Sequence, residues 1–261
     1  MDRRGFLQAS LAAAAASLAG RAAAGDAYFE GFRAQLESQP WLKAYQGLDS
    51  DLAAGPLRIE GKLPEALRGT LYRNGPALFE RGGVRYRHLF DGDGMVQAFT
   101  FLEGAVHHRG RFVRTRRFAA ESASGRFLVP APGTPIEGAG KGLPLPDEMN
   151  AANTNVVSHA GRLLALWEGG SAYELDPATL ETRGPVTWRA DLKGAPFSAH
   201  PKIEPDGTMW NVGAAPGALV FYRIDRDGAL AQAHLQKVPG VILNHDFAVS
   251  QAHIVCVLPA L

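Results

Sequence analysis

The sequence predicts an all-β fold of the propeller type, and three observations carry that expectation. From Leu57 onward, short apolar runs alternate with Gly, Pro, Asn and Asp turn signals. No stretch past residue 55 sustains a helical apolar stripe for three turns. A strand–aspartate–strand pattern also recurs. Tyr173-Glu-Leu175-Asp176-Pro-Ala-Thr-Leu180 is similar to Tyr222-Arg-Ile224-Asp225-Arg-Asp-Gly-Ala-Leu230, 49 residues further on. A strand-built repeat of ~40–50 residues is the sequence sign of a propeller blade, although shared turn chemistry alone can also produce two copies.

Composition narrows the classes first. The 261 residues are 46% hydrophobic and 20% charged, with 27 basic against 26 acidic side chains. That is too apolar for intrinsic disorder, and a formal charge of +1 gives no field for gripping nucleic acid. The 30 glycines and 17 prolines have no collagen-like period and read as punctuation between short elements. Cys256 is the one cysteine, which excludes an internal disulfide and a cysteine-based zinc cluster.

Residues 1–24 read as an export signal. Arg3-Arg4-Gly5-Phe6-Leu7 is followed by an alanine-rich stretch from Leu11 to Gly20 and the small run Ala22-Ala23-Ala24. The arginine pair points to the twin-arginine route, which carries folded proteins, and hence to the periplasm. The apolar run falls short of the ~20 residues of a membrane span. Residues 25–56 form an N-terminal strap, helical or meandering, and residues 57–261 form the propeller part. Within it, Gly69-Thr-Leu71-Tyr72-Arg, Val96-Gln-Ala-Phe99-Thr-Phe101, Arg162-Leu-Leu-Ala-Leu-Trp167 and Ile254-Val-Cys-Val-Leu258 read as strands. Ser122 to Asn150, with Pro130, Pro132, Pro135, Pro144 and Pro146, cannot hold a strand ladder because proline lacks the donor. A loop of this kind on a rigid scaffold shapes a binding face or is mobile.

His200 and His245 stand in a similar phase of the repeat, 24 residues after Asp176 and 20 after Asp225. Equivalent positions of successive blades face the propeller axis, so two imidazoles can converge there on one ion; iron, zinc, copper and nickel all suit that ligand. The plainer alternative is a pair of histidines hydrogen-bonded at strand ends. His107 and His108 are adjacent in a strand and face opposite ways. His88, His159, His234 and His253 stand alone and read as structural or surface residues. Asp246 should point away from His245, which disfavours a site of two histidines and one carboxylate. Glu168, ending an apolar strand, is either solvated there or accepts the second N–H of a ligating histidine. Phe90-Asp91-Gly92-Asp93-Gly94-Met95 lacks the closing glutamate of a calcium loop and reads as a tight turn. Arg109, Arg111, Arg114, Arg116 and Arg117 read as a solvated strand edge, with peripheral contact to anionic lipid headgroups as the alternative.

Seven segments, in order, resemble the carotenoid cleavage oxygenases, the group that includes the stilbene-cleaving dioxygenases and the retinal pigment epithelial membrane protein-like chains. They are Gly69-Thr-Leu-Tyr-Arg-Asn-Gly-Pro76, His88-Leu-Phe-Asp-Gly-Asp-Gly-Met-Val96, Asn153-Thr-Asn155, Leu164-Ala-Leu-Trp-Glu168, Leu175-Asp-Pro-Ala-Thr-Leu-Glu-Thr182, Ser198-Ala-His-Pro-Lys202 and His245-Asp-Phe247. The resemblance implies a seven-bladed propeller with a cap of loops and short helices, and a non-haem Fe(2+) ion held on its axis by four histidines. Three of those histidines would be supported by glutamates. His200 and His245 match the first two ligands, and Glu168 matches the first supporting glutamate. The implied reaction is cleavage of a carbon–carbon double bond of an apolar alkene by O2. Residues 122–148 would then belong to the mouth of an apolar tunnel.

Members of that family are far longer and draw their third and fourth histidines from a C-terminal half. The chain is therefore expected to be the N-terminal part of the ring: a fragment or frame-truncated product, a chain completed by a C-terminal partner polypeptide, or a propeller piece without chemistry that binds apolar ligands.

Overall fold

The computed structural model describes residues 26–139 and 145–258, so the expected export signal lies outside the described residues. Within the strap, Asp26 accepts a hydrogen bond from the Tyr28 N–H at 3.0 Å and starts helix α1 (Ala27–Gln35). A 3-10 helix (Pro40–Tyr45) and strand β1 (Leu52–Pro56) follow. Among the described residues no helix is long and apolar enough to cross a membrane.

The chain then winds through successive antiparallel sheets. Strands β2 (Gly69–Leu78), β5 (Asp93–Leu102) and β6 (Ala105–Phe112) form the first, with β1 from the strap closing its outer edge; the small hairpin β3 (Glu80–Arg81)–β4 (Val84–Arg85) branches from it. The second sheet runs in chain order through β7 (Asn155–His159), β8 (Arg162–Leu166), β9 (Tyr173–Leu175) and β10 (Thr182–Pro185). The third does the same with β11 (Lys202–Ile203), β12 (Met209–Ala215), β13 (Ala218–Ile224) and β14 (Leu230–Lys237). Strands β15 (Phe247–Val249) and β16 (Ile254–Cys256) pair as the beginning of a fourth. Asp176 and Asp225 both follow the third strand of their sheets, so the 49-residue spacing is the blade repeat.

Stacking of the sheets explains the sequence pattern. β8 is apolar without alternation because both of its faces are covered: Leu163 and Ala165 pack with Val96 and Val113 of the first-sheet region, while Leu164 and Leu166 pack with Met209, Val220 and Tyr222 of the third. β12 is likewise shared, with Met209 facing the second sheet and Val212 and Ala214 packing with Phe247 of the fourth. The stack is close enough that a Cβ on Gly213 would lie 1.9 Å from the Pro196 carbonyl oxygen, so only glycine fits there.

Two sequence expectations need correction around Asp91 and the arginines. Leu89–Asp91 is a 3-10 helix rather than a simple turn, and both aspartates are buried structural anchors. Asp91 accepts from the Gly133 N–H at 2.9 Å and the Thr134 hydroxyl at 2.6 Å, tying down part of the proline-rich stretch. The arginines do not form one solvated edge. β6 ends at Phe112, and Thr115, whose hydroxyl accepts from the Phe118 N–H at 3.1 Å, starts helix α2 (Arg116–Ser124). Arg117 therefore points inward and binds Asp93 at 2.7 Å, each side chain only 1% exposed. The rest of the proline-rich stretch has an isolated Ala131–Thr134 bridge and helix α3 (Pro146–Met149); residues 140–144 lie outside the described residues.

Candidate metal centre

Three consecutive sheets each deliver one side chain to the same place. His200 stands two residues before β11, and His245 two residues before β15, the opening strands of neighbouring sheets. Glu168 stands two residues beyond the end of β8 in the sheet before them. Ligand atoms from Glu168, His200 and His245 lie within 4.8 Å of one another. The two imidazole rings are 4.7 Å apart between centroids and inclined by 69°.

The hydrogen bonding is asymmetric. Nδ1 of His245 is bonded to Oε1 of Glu168. An ionised carboxylate can only accept, so this contact places a proton on Nδ1; in the neutral ring Nε2 then carries the lone pair. Nε2 of His200 is buried and has no hydrogen-bond partner. Buried polar nitrogens are almost always satisfied, so an orphaned imidazole nitrogen beside a second imidazole with a free lone pair fits a metal ion. Glu168 is mostly buried, its side chain 19% exposed, whereas His245 is 66% exposed.

Flanking contacts fix the backbone on either side. The Asn211 carboxamide bonds both the N–H and the carbonyl of Ser198, each at 2.9 Å. Nδ2 of Asn155 donates to the Ala199 carbonyl at 2.8 Å. Asp246 is outside the cluster. Its carboxylate takes Nζ of Lys202 at 2.6 Å and the Phe247 N–H at 2.7 Å. Burial works against that negative charge, but these donors outweigh it and hold the carboxyl below its usual range. The Lys202–Asp246 pair also links the two histidine-bearing segments directly.

The remaining histidines lie elsewhere. Nδ1 of His88 accepts from the Phe90 N–H, Nε2 of His159 bonds the Gly207 carbonyl, and His108 bonds Gln97. His107 is exposed on the other face of β6, His234 lies beside Phe221, and His253 is exposed in the final hairpin turn. Asn155 and Asn211 were not singled out for any role by their sequence. Asn155 falls within Asn153-Thr-Asn155, which gave a signal of family but none of contact.

A sequence profile described as retinal pigment epithelial membrane protein matches residues 49–261. The chain belongs to this family, the carotenoid oxygenases. It is 37% identical to the apocarotenoid-15,15'-oxygenase of Synechocystis sp. over 81% of this chain and 46% of that one. It is 34% identical to the isoeugenol monooxygenase of Pseudomonas nitroreducens, and 34% to lignostilbene-alpha,beta-dioxygenase isozyme III of Sphingomonas paucimobilis, over 75% of this chain and 41% of each relative. The chain thus spans less than half the length of these relatives. Among solved structures, cobalt-substituted Synechocystis ACO aligns with a TM-score of 0.73 at 35% identity, covering 84% of this chain and 48% of that one. These carotenoid oxygenase structures are β-propellers, so the sheets of this chain are part of such a ring. The named relatives are oxygenases, and the cobalt structure shows that one relative holds a metal.

Proposed function

We propose that this chain supplies two ligands and one supporting carboxylate to an iron(II) centre that cleaves a carbon–carbon double bond of a carotenoid, apocarotenoid or stilbene-type substrate. The buried, partnerless Nε2 of His200 beside the Glu168-tethered ring of His245 carries this reading. The names of the relatives support the substrate class: an apocarotenoid, isoeugenol and a lignostilbene all carry a conjugated carbon–carbon double bond on a largely hydrocarbon frame.

The overall change is balanced without a reductant, because one alkene and one O2 give two carbonyl products. Ferrous iron supplies the redox chemistry with dioxygen that closed-shell side chains lack. This chain's residues hold the donors. As ligands, His200 and His245 would be neutral imidazoles and leave the charge of an ion undiminished. Glu168 keeps the proton on Nδ1 of His245, fixes the ring tautomer and makes the opposite nitrogen more basic. A four-imidazole set needs two further donors, which we assign to a C-terminal half of the ring. The export reading of residues 1–24 supports a periplasmic location.

A second reading, a propeller unit that binds apolar ligands or a partner chain without chemistry, is favoured by one observation: among the described residues the cluster holds two imidazoles. Anaerobic loading with ferrous iron separates the readings. With two of the four donors present, the wild-type chain should bind iron more weakly than a complete set but more tightly than His200→Ala or His245→Ala, and equal affinity in all three overturns the metal site. Given iron and a stilbene or apocarotenal, oxygen uptake matched by aldehyde formation supports cleavage. Stoichiometric polyene binding with neither iron nor uptake selects the second reading.

A further inference from the structure

We propose that Asn155 and Asn211 are positioning residues that aim His200, acting through its backbone from two different sheets. The inference rests on the metal reading of His200 and His245 above.

Neither carboxamide touches the imidazole. Asn211, fully buried in β12, lies alongside Ser198 and bonds its N–H and its carbonyl, both at 2.9 Å. That two-point pairing gives Ser198 the hydrogen bonds of a neighbouring strand at a place where β11 has not yet begun. Asn155, in β7 of the preceding sheet, donates from Nδ2 to the Ala199 carbonyl at 2.8 Å, while its Oδ1 accepts from the Val156 N–H at 2.8 Å. Both ends of the Asn155 side chain are therefore occupied, and its rotamer is locked. Its own carbonyl accepts Nδ2 of Asn74 in β2 at 2.8 Å, and Asn74 also bonds the Ala152 carbonyl. A line of carboxamides thus runs from the first sheet to the second and ends on the peptide that carries His200.

The last link has a specific geometric consequence. The Ala199 carbonyl and the His200 N–H belong to one planar peptide unit. Holding that carbonyl fixes the plane from which His200 departs and leaves only its own φ and side-chain torsions free. Metal ligands must be placed within about 0.5 Å to function, so a loosened plane should weaken binding without removing any ligand.

The test is a titration with Co(2+), whose visible absorption reports the number and geometry of its ligands. Wild type, His200→Ala, Asn155→Asp and Asn155→Ala are compared, with thermal melts of each metal-free chain. Asn155→Asp preserves size but removes the donor to Ala199. Both Asn155 variants should fold, bind Co(2+) about 10–100-fold more weakly and shift its absorption bands, as expected when support behind a ligand is lost. Unchanged affinity and bands in variants whose melts match wild type overturn the positioning role while leaving the metal reading intact. Unfolding of both variants assigns Asn155 to the scaffold and also overturns it. A wild-type chain lacking any His200-dependent cobalt signal overturns the metal reading itself, and this inference with it.

Discussion

His245 turns Nδ1 onto the carboxylate of Glu168, 77 residues away in the chain, with its ring 4.7 Å from that of His200. A carboxylate that accepts an imidazole N–H can support that ligand, although its oxygen also lies within 4.8 Å of the histidine nitrogens, so Glu168 is either a support or a ligand itself. The two roles differ in magnitude. Glu168→Gln keeps an acceptor oxygen but loses the charge, and metal affinity should fall by about 10–100-fold, the usual effect of losing such a support. His245→Ala should lose binding altogether. A competition titration against a chelator of known affinity reads both, and equal losses in the two variants would make Glu168 a direct ligand.

Arg117 and Asp93 form a pair with almost no solvent contact, further held by Arg117 donating to the Asp91 carbonyl at 2.9 Å. Removing one member leaves the other charged and buried. Arg117→Met should cost about 3–5 kcal/mol, seen as a lower urea midpoint with an unchanged slope. Adding Asp93→Leu should recover part of that loss. Recovery stays partial because Arg81, 3.4 Å from Asp93, then loses its own partner.

How far the sequence could be read depended on what each letter encodes. The apolar run of β8 reads as a strand, and the two aspartate turns read as a blade repeat; the structure adds that β8 is covered on both faces and that each turn follows the third strand of its sheet. Those signals also put His200 and His245 in corresponding places, each just before the opening strand of its sheet. Arg117 reads as part of the strand edge because Arg109 and Arg111 alternate along β6 and Arg114 and Arg116 extend the pattern beyond its end. The Thr115 cap was the available sign that a helix intervenes. The carboxamide contacts of Asn155 and Asn211 were invisible, since an asparagine has the same letter whether it faces water or another sheet's backbone.

The Asp176 turn gives the pH dependence. Its carboxylate accepts the Thr179 N–H, is bound by the Arg183 guanidinium and accepts the Ala178 N–H, and these donors pull its pKa from 3.8 to about 2. An acid whose folded pKa is depressed contributes stability above its ordinary value and loses it as pH falls through the folded one. The melting-temperature gap between wild type and Asp176→Ala should therefore be constant at neutral pH, shrink below the ordinary carboxylate range and close as pH approaches 2. A gap independent of pH would mean that the turn is held by its backbone bonds alone.

Gly213 and Leu164 separate stability from site geometry. An alanine methyl at position 213 would meet the Pro196 carbonyl at 1.9 Å, and that same oxygen already accepts the Tyr222 hydroxyl at 2.9 Å. The strain falls on backbone, which cannot rotate away as a side chain could. Relief requires moving the segment that leads through Ser198 and Ala199 to His200. Gly213→Ala should thus cost at least the ~1–3 kcal/mol typical of overpacking and also weaken metal binding by the folded protein. Leu164→Ala, in the same core, should cost about 2–5 kcal/mol by leaving a cavity. That cavity borders Phe197 and Ala199 but pushes on no backbone and leaves the hydrogen bonds holding Ser198 and Ala199 in place, so cobalt affinity in the folded state should stay at the wild-type value. Urea denaturation paired with cobalt titration checks both, and an equal loss of affinity in the two variants would show that general stability, rather than the path of residues 196–200, governs the site.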